Sequence, residues 1–190
     1  AQGESTQMHG LVNRSIQSFV EETYGAEAWR PVAEGAGLGD DGFDFMRAYD
    51  DALTEQELAA VAARLVEPRD AVLEDMGTWL VADRSKEGVR RLLRFSGDSF
   101  CEFLRALDEL PGRVRLALPD LRVPAVAVRD HGGGVFGLQL GPGWPGLAPV
   151  MVGMLRAMAD DYGALLVLGA TRDAGGAATL YVPVLASAFT

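Results

Sequence analysis

Between Val12 and Leu110 the apolar positions recur at helical spacing, and beyond Val123 they change to the two-residue period of strands. Val12, Ile16, Phe19 and Val20 share one helical face, and Gly25 is placed to end that segment. A glycine-rich loop runs from Gly35 to Gly42, and Phe43, Met46 and Tyr49 predict a short helix. Thr54 and Glu57 have capping-box spacing, in which each side chain satisfies the other's exposed backbone N–H, and Leu58, Val61 and Leu65 continue as a core stripe. Pro68 closes that helix and can open the next, which carries Val72, Leu73, Met76 and Trp79. Val89, Leu92 and Leu93 mark another helix, ending before Gly97. Ser99 with Glu102 is a second capping box, ahead of the apolar face Phe100, Phe103, Leu104, Leu107 and Leu110. Pro111 has no N–H and would clash with the Leu107 carbonyl in a continuing helix. The helix is therefore expected to stop or hinge at Leu110–Gly112, with Gly112 easing a left-handed turn.

In the second half, Val123–Val128 and Val135–Leu140 read as strands joined by a turn from Asp130 to Gly134. A helix follows from about Pro145 to Tyr162, with Leu147, Val150, Met151, Met154 and Met158 inward. Leu165–Ala170 and Thr179–Leu185 form a second hairpin around Asp173. Helices followed by strand-strand-helix-strand-strand predict an α+β fold: a helical N-terminal subdomain packed on a four-stranded antiparallel sheet with helices.

Composition narrows the partners. The 190 residues suffice for one domain, and a 48% hydrophobic share argues for a folded chain. A net charge of −10 argues against nucleic acid, which calls for a basic footprint, and against anionic membranes. No run is long enough to span a bilayer, and the single cysteine, Cys101, fits a reducing cytoplasm. Residues 1–7 show no apolar period and are taken as a loose tail. Residues 8–190 form the domain, with a helical part over about 8–68 and a sheet-containing part over about 69–190.

Catalytic signatures are missing. His131, Gly132, Gly133 and Gly134 copy the oxyanion loop of some esterases, but no G-x-S-x-G elbow accompanies them, so they read as a hairpin turn. Asp40, Asp41, Asp44, Asp50 and Asp51 lack EF-hand spacing and read as caps and solvated charges. Arg90, Arg91 and Arg94 read as a solvated helix face. There is no P-loop or dinucleotide fingerprint, and no enzyme activity is expected.

Several stretches, in order along almost the whole chain, resemble the heme nitric oxide/oxygen binding (H-NOX) family. Met8 to Ile16, Phe19, Val20, Tyr24 and Gly25 resemble its opening helix, and Trp29 sits where the family often has tryptophan. Asp75, Met76, Gly77, Thr78 and Trp79 resemble its F-G-x-x-W element. Gly97 through Leu110 resembles the helix that leads to its proximal histidine. Pro119 and Pro124 fit the entry to the sheet, and Pro145 through Pro149 the start of the C-terminal helix. The resemblance implies a sensor domain with a ligand cleft between its two parts. It also implies partners of histidine kinase, cyclase or chemotaxis type.

The departures lie at the haem anchors. The family's leucine-aspartate-x-leucine-histidine run supplies the iron ligand. Here it is Leu107, Asp108, Glu109, Leu110 and Pro111, and proline has no donor atom for iron. The family's Tyr-x-Ser-x-Arg motif grips the propionates through charge-assisted hydrogen bonds, and the matching residues are Leu140, Pro142 and Trp144. Haem is therefore not expected as cofactor. The leading expectation is a haem-independent sensory or regulatory domain in the cytoplasm. Its cleft would either hold an apolar, lipid-like molecule or be closed by Trp144, with Phe100, Phe103, Leu104, Leu107, Pro111, Leu140, Pro142, Trp144, Met151 and Met154 as pocket candidates. The rivals are a haem gas sensor using His9, His131 or Cys101 as axial ligand, and an interaction module with no ligand.

Overall fold

A computed structural model of the chain describes residues 7–38, 42–44, 46–82, 87–94, 97–173 and 177–187. The fold is α+β, and the chain divides into two compact units, one up to Val72 and one from Leu73.

The first unit begins with β1 (Gln7–His9), α1 (Gly10–Tyr24) and α2 (Ala26–Gly35). Gln7, placed by the sequence in the loose tail, instead pairs with Asp50 at the start of β1. Gly25 does end α1, as its spacing predicts, but the chain re-enters a helix at once. The buried stripe Ala28, Trp29 and Val32 makes α2, which the sequence reading had not separated. The predicted short helix over Phe43–Tyr49 does not form. Asp44 Oδ1 accepts the Met46 N–H at 2.9 Å, and the Tyr49 hydroxyl accepts the Asp44 N–H at 2.9 Å, which closes a turn. The chain then runs into β2 (Ala48–Asp50), antiparallel to β1. Pairing with a distant strand outcompetes the local helical period here. Phe43, between Trp29 at 6.4 Å and Tyr49 at 5.0 Å, anchors the loop in the core.

Next comes α3 (Asp51–Leu65). Its cap is Asp50, whose carboxylate accepts the Ala52 N–H at 2.8 Å, so the Thr54–Glu57 capping box does not exist. Both residues lie inside the helix and are fully buried. The helix ends on Val66, which holds a left-handed φ of 58° while 89% exposed. A β-branched residue is strained there and gains nothing from packing. Val66→Gly is expected to stabilise the protein by about 1 kcal/mol, raising the thermal midpoint by about 2–4 °C. A lower midpoint would show that the strain is not real.

The second helical run is α4 (Arg69–Ala82), α5 (Glu87–Arg94), α6 (Phe100–Arg105), a 3-10 turn over Ala106–Glu109, and α7 (Leu110–Ala117). The Ser99–Glu102 capping box forms in full: Ser99 Oγ accepts the Glu102 N–H while the Glu102 carboxylate accepts the Ser99 N–H, both at 3.3 Å. Pro111 behaves differently from expectation. The run is broken before it, by the 3-10 turn, and Pro111 sits in the first turn of α7, where a missing N–H costs nothing. It starts a helix rather than ending one. Gly112 is helical, not left-handed.

Strands β3 (Val126–Asp130), β4 (Val135–Leu140), β5 (Ala164–Leu166), β6 (Gly169–Arg172) and β7 (Ala178–Ser187) form one antiparallel sheet. Its order is β3-β4-β7-β5, and β6 pairs with β7 farther along the flank that β5 occupies, so the predicted four-stranded width is kept with the third strand interrupted. The β3–β4 turn is the H-G-G-G stretch. Gly132, Gly133 and Gly134 have φ of 80°, 61° and 78°, a run of positive values that only glycine adopts without strain. The α8 helix (Leu147–Tyr162) buries Met151, Val152, Leu155 and Met158 in the same core as Phe136, Leu138, Leu180 and Val182 of the sheet.

Candidate functional site

Most of the candidate pocket residues come together in the core of the second unit. Phe100, Phe103, Leu104 and Leu107 face inward from α6 and the 3-10 turn. They meet Leu140 at the end of β4 and Met151 of α8 in one cluster, each at most 3% exposed. Met154 is half-buried against that cluster, and Pro111 is buried at the start of α7. Phe100 and Leu104 are 0% exposed, so no water-sized void touches either side chain. The rings of Phe100 and Phe103 stack at 5.6 Å, and Tyr162 completes the group at 6.1 and 5.9 Å. Tyr162 also donates its hydroxyl proton to the Gly97 carbonyl at 3.0 Å, tying α8 to the start of α6. The sequence placed Tyr162 only as a helix end.

Pro142 and Trp144 stand apart. Pro142 is exposed, and the half-buried Trp144 indole lies over the backbone of Gly146, where no Cβ blocks it. Beside it is a small pocket lined by Leu140, Gly141, Trp144, Leu147, Arg172 and Ala178. Its free volume is ≈ 10 Å³, room for about one water molecule. Arg172 was not anticipated at this place. It comes from β6 rather than from the motif.

The weak metal candidates do not converge. His131 is exposed in the β3–β4 turn, with its ring against Gly137. Cys101 is partly buried on α6, and His9 ends β1. Among the described residues, no three His, Cys, Asp or Glu side chains are grouped to hold a metal ion. Asp40 and Asp41 lie outside the described residues. Asp44 and Asp50 serve as the local turn and cap described above, and Arg90, Arg91 and Arg94 lie on α5. At the positions that the sequence resemblance matches to the family's anchors, the Pro111 side chain has no lone pair for iron, and Leu140, Pro142 and Trp144 carry no charge to meet a propionate. This set of side chains does not fit haem.

One electrostatic contact ties α6 to the sheet. Arg105 reaches Asp130 with Nε at 2.9 Å and Nη2 at 2.8 Å, and its guanidinium lies 5.4 Å from the Phe136 ring centre. The Gly132 N–H and then Arg105 hold the Asp130 carboxyl below the usual carboxylate range. In the first unit, Glu57 is fully buried and burial pushes its pKa up to about 9. Neither feature was legible as a site, because each joins segments far apart in the chain.

No helix among the described residues is long and apolar enough to cross a membrane. Residues 9–167 match the family model HNOB, described as Haem-NO-binding. Among curated proteins, the chain is 26% identical over 157 residues to soluble guanylate cyclase 89Db of Drosophila melanogaster, covering 82% of this chain and 23% of that protein. It is 28% identical over 118 residues to soluble guanylate cyclase gcy-31 of Caenorhabditis elegans, covering 62% and 17%. The chain thus spans less than a quarter of the length of these relatives. Among solved structures, a triple mutant of an H-NOX protein from S. oneidensis in the Fe(II) ligation state superposes with a TM-score of 0.79 at 15% identity, covering 96% of this chain and 98% of that one. The Fe(II) unliganded H-NOX protein of K. algicida gives 0.78 at 15% identity, covering 96% and 100%. These likenesses show the fold.

Proposed function

We propose a function from one premise: the chain belongs to the Haem-NO-binding (HNOB) family. From it we infer a haem-independent sensory or regulatory domain of signal transduction, which catalyses no reaction itself. The observation that carries this reading is the side-chain set at the family's two haem anchors. Pro111 is buried in a helical first turn with no atom to offer iron, and Leu140, Pro142 and Trp144 have no charge for a propionate. Both anchors are replaced together, as expected where haem binding is no longer needed. The guanylate cyclase relatives support a cyclase-type signalling partner, and histidine kinase or chemotaxis-type partners follow from the family resemblance. The lone Cys101 supports a cytoplasmic setting.

Protein purified from haem-replete cells is expected to be colourless, with iron far below one atom per chain. A strong Soret band with near-equimolar iron overturns the proposal and restores the gas-sensor reading with another axial ligand.

The tight burial of Phe100, Phe103, Leu104, Leu107 and Met151 favours a core filled by protein over one that holds a lipid-like molecule. Saturable uptake of a fluorescent fatty-acid analogue is therefore not expected. Uptake that disappears in Leu104→Trp or Leu107→Trp would reverse this and put an apolar ligand beside those residues.

A further inference from the structure

The sheet of the second unit turns one face to the core and a second face away from it. Phe136, Leu138, Leu180 and Val182 point into the core, so the positions between them point outward, and cross-strand partners share a face. An antiparallel sheet with a solvated face ordinarily carries polar residues there. Here the outward row of β7 is Thr179, Tyr181, Pro183 and Leu185, with Tyr181 52% and Leu185 61% exposed. Val135 of β4 pairs with Pro183 on one side. On the other side Ala164, Leu166 and Leu168 pack against the core, which turns Leu165 and Val167 outward, 61% and 56% exposed. The Val167 N–H donates to the Pro183 carbonyl at 3.2 Å, so Pro183 stands at the centre of one apolar patch. With its members this exposed, no described element lies over the patch.

Beyond the patch the face is polar but nearly free of charge. Gln139, Thr171 and Thr179 form one exposed row, and among the described outward strand positions only Arg129 is charged. Asp173, just past β6, accepts the Ala177 N–H at 3.0 Å and is held in its own turn. A chain with a net charge of −10 thus keeps carboxylates off these positions. A partner recruited by charge would need a cluster of acids or bases, which these positions do not supply. A second copy needs what is present: an apolar centre, a polar rim, and no carboxylates to meet their own kind. With strands about 4.8 Å apart and about 3.3 Å of rise per residue, the face spans roughly 500 Å². Two such faces together reach the roughly 1,000 Å² that a specific interface needs. We propose that two copies of this chain pack sheet on sheet through this face. Their β7 strands run antiparallel across a two-fold axis at Pro183, which sets Tyr181 of one copy against Leu185 of the other.

Sedimentation equilibrium of the intact chain, at concentrations up to roughly 300 μM, reads the association directly. The mass is expected to rise with concentration from 20.3 kDa toward twice that value. Tyr181→Lys puts an ammonium group into the apolar centre of each copy, and should weaken association about tenfold or more while the near-UV circular dichroism is kept. Val167→Lys, on the β5–β6 flank, should do the same, and carries the test should Tyr181→Lys fail to fold. Leu116→Lys is the control. Leu116 is 88% exposed on α7, off the sheet, so this variant should associate as the wild type does. A wild type that stays monomeric throughout overturns the proposal and leaves the face to a different protein. Association that survives both Tyr181→Lys and Val167→Lys, or that Leu116→Lys also abolishes, overturns it as well.

Discussion

Gly153→Val is expected to abolish the folded state of the second unit, and Gly153→Ala or Gly77→Ala to cost about 3 kcal/mol or more each. At these two residues the backbones of α4 and α8 touch. A Cβ on Gly153 would overlap the Glu74 carbonyl oxygen and lie 2.8 Å from the Thr78 nitrogen. A Cβ on Gly77 would overlap the Val150 carbonyl and lie 3.1 Å from the Met154 nitrogen. The atoms in the way are main chain, so no rotamer change relieves the clash and the helices must separate. Separation would also break the Thr78 hydroxyl contact to the Gly153 carbonyl at 3.3 Å and the Arg156–Glu74 ion pair. A single separation relieves both sites, so the double alanine variant should cost less than the sum of the two. Gly112→Ala is the control. It lies in α7 with nothing within 4 Å of an added Cβ, and should stabilise by up to about 1 kcal/mol. Denaturant melts followed by near-UV circular dichroism read all five variants. A Gly153→Ala midpoint equal to wild type would show that α4 and α8 are not in backbone contact.

Glu57→Leu should make the protein more stable at pH 7, by about 2–3 kcal/mol. Burial raises the folded-state pKa of Glu57 from 4.5 to about 9. Between those values the folded state keeps a proton that the unfolded state releases, so stability falls as pH rises, by about 1.4 kcal/mol per pH unit. The contribution of Glu57 is therefore intact below pH 4.5, erodes steadily above it, and is fully lost past about pH 9. Leucine has a similar volume and no charge to bury. The stability difference between the two proteins, measured by urea unfolding, should be small near pH 4 and widen toward pH 8. A difference that does not change with pH would show that Glu57 is not held neutral.

Local signals in the sequence were reliable where no distant group competed for the same atoms. Ser99 and Glu102 satisfy each other as their spacing predicts, because the distant group that reaches the start of α6, the Tyr162 hydroxyl, takes the Gly97 carbonyl and leaves both capping groups to each other. Thr54 and Glu57 have the same spacing and do something else. Asp50 takes the cap, and Asn13, 41 residues from Thr54 in the chain, takes its hydroxyl. The Phe43–Tyr49 period failed for the same reason, since β1 and the Tyr49 hydroxyl claim that segment.

The sequence by itself determined the α+β class and the positions of most helices and strands, and it put proline at 111 and uncharged residues at 140, 142 and 144, which offer no side-chain donor for iron and no charge in any fold. Tertiary structure decided the rest. It turned Pro111 from a helix stop into a helix start, because the 3-10 turn before it had already broken the run. It packed Phe100, Phe103, Leu104 and Leu107 into a filled core, since side chains from α8 and the sheet reach the same space. It also buried Glu57 and joined Thr54 to Asn13, a juxtaposition no local pattern encodes, because it depends on which faces two separate helices turn toward each other.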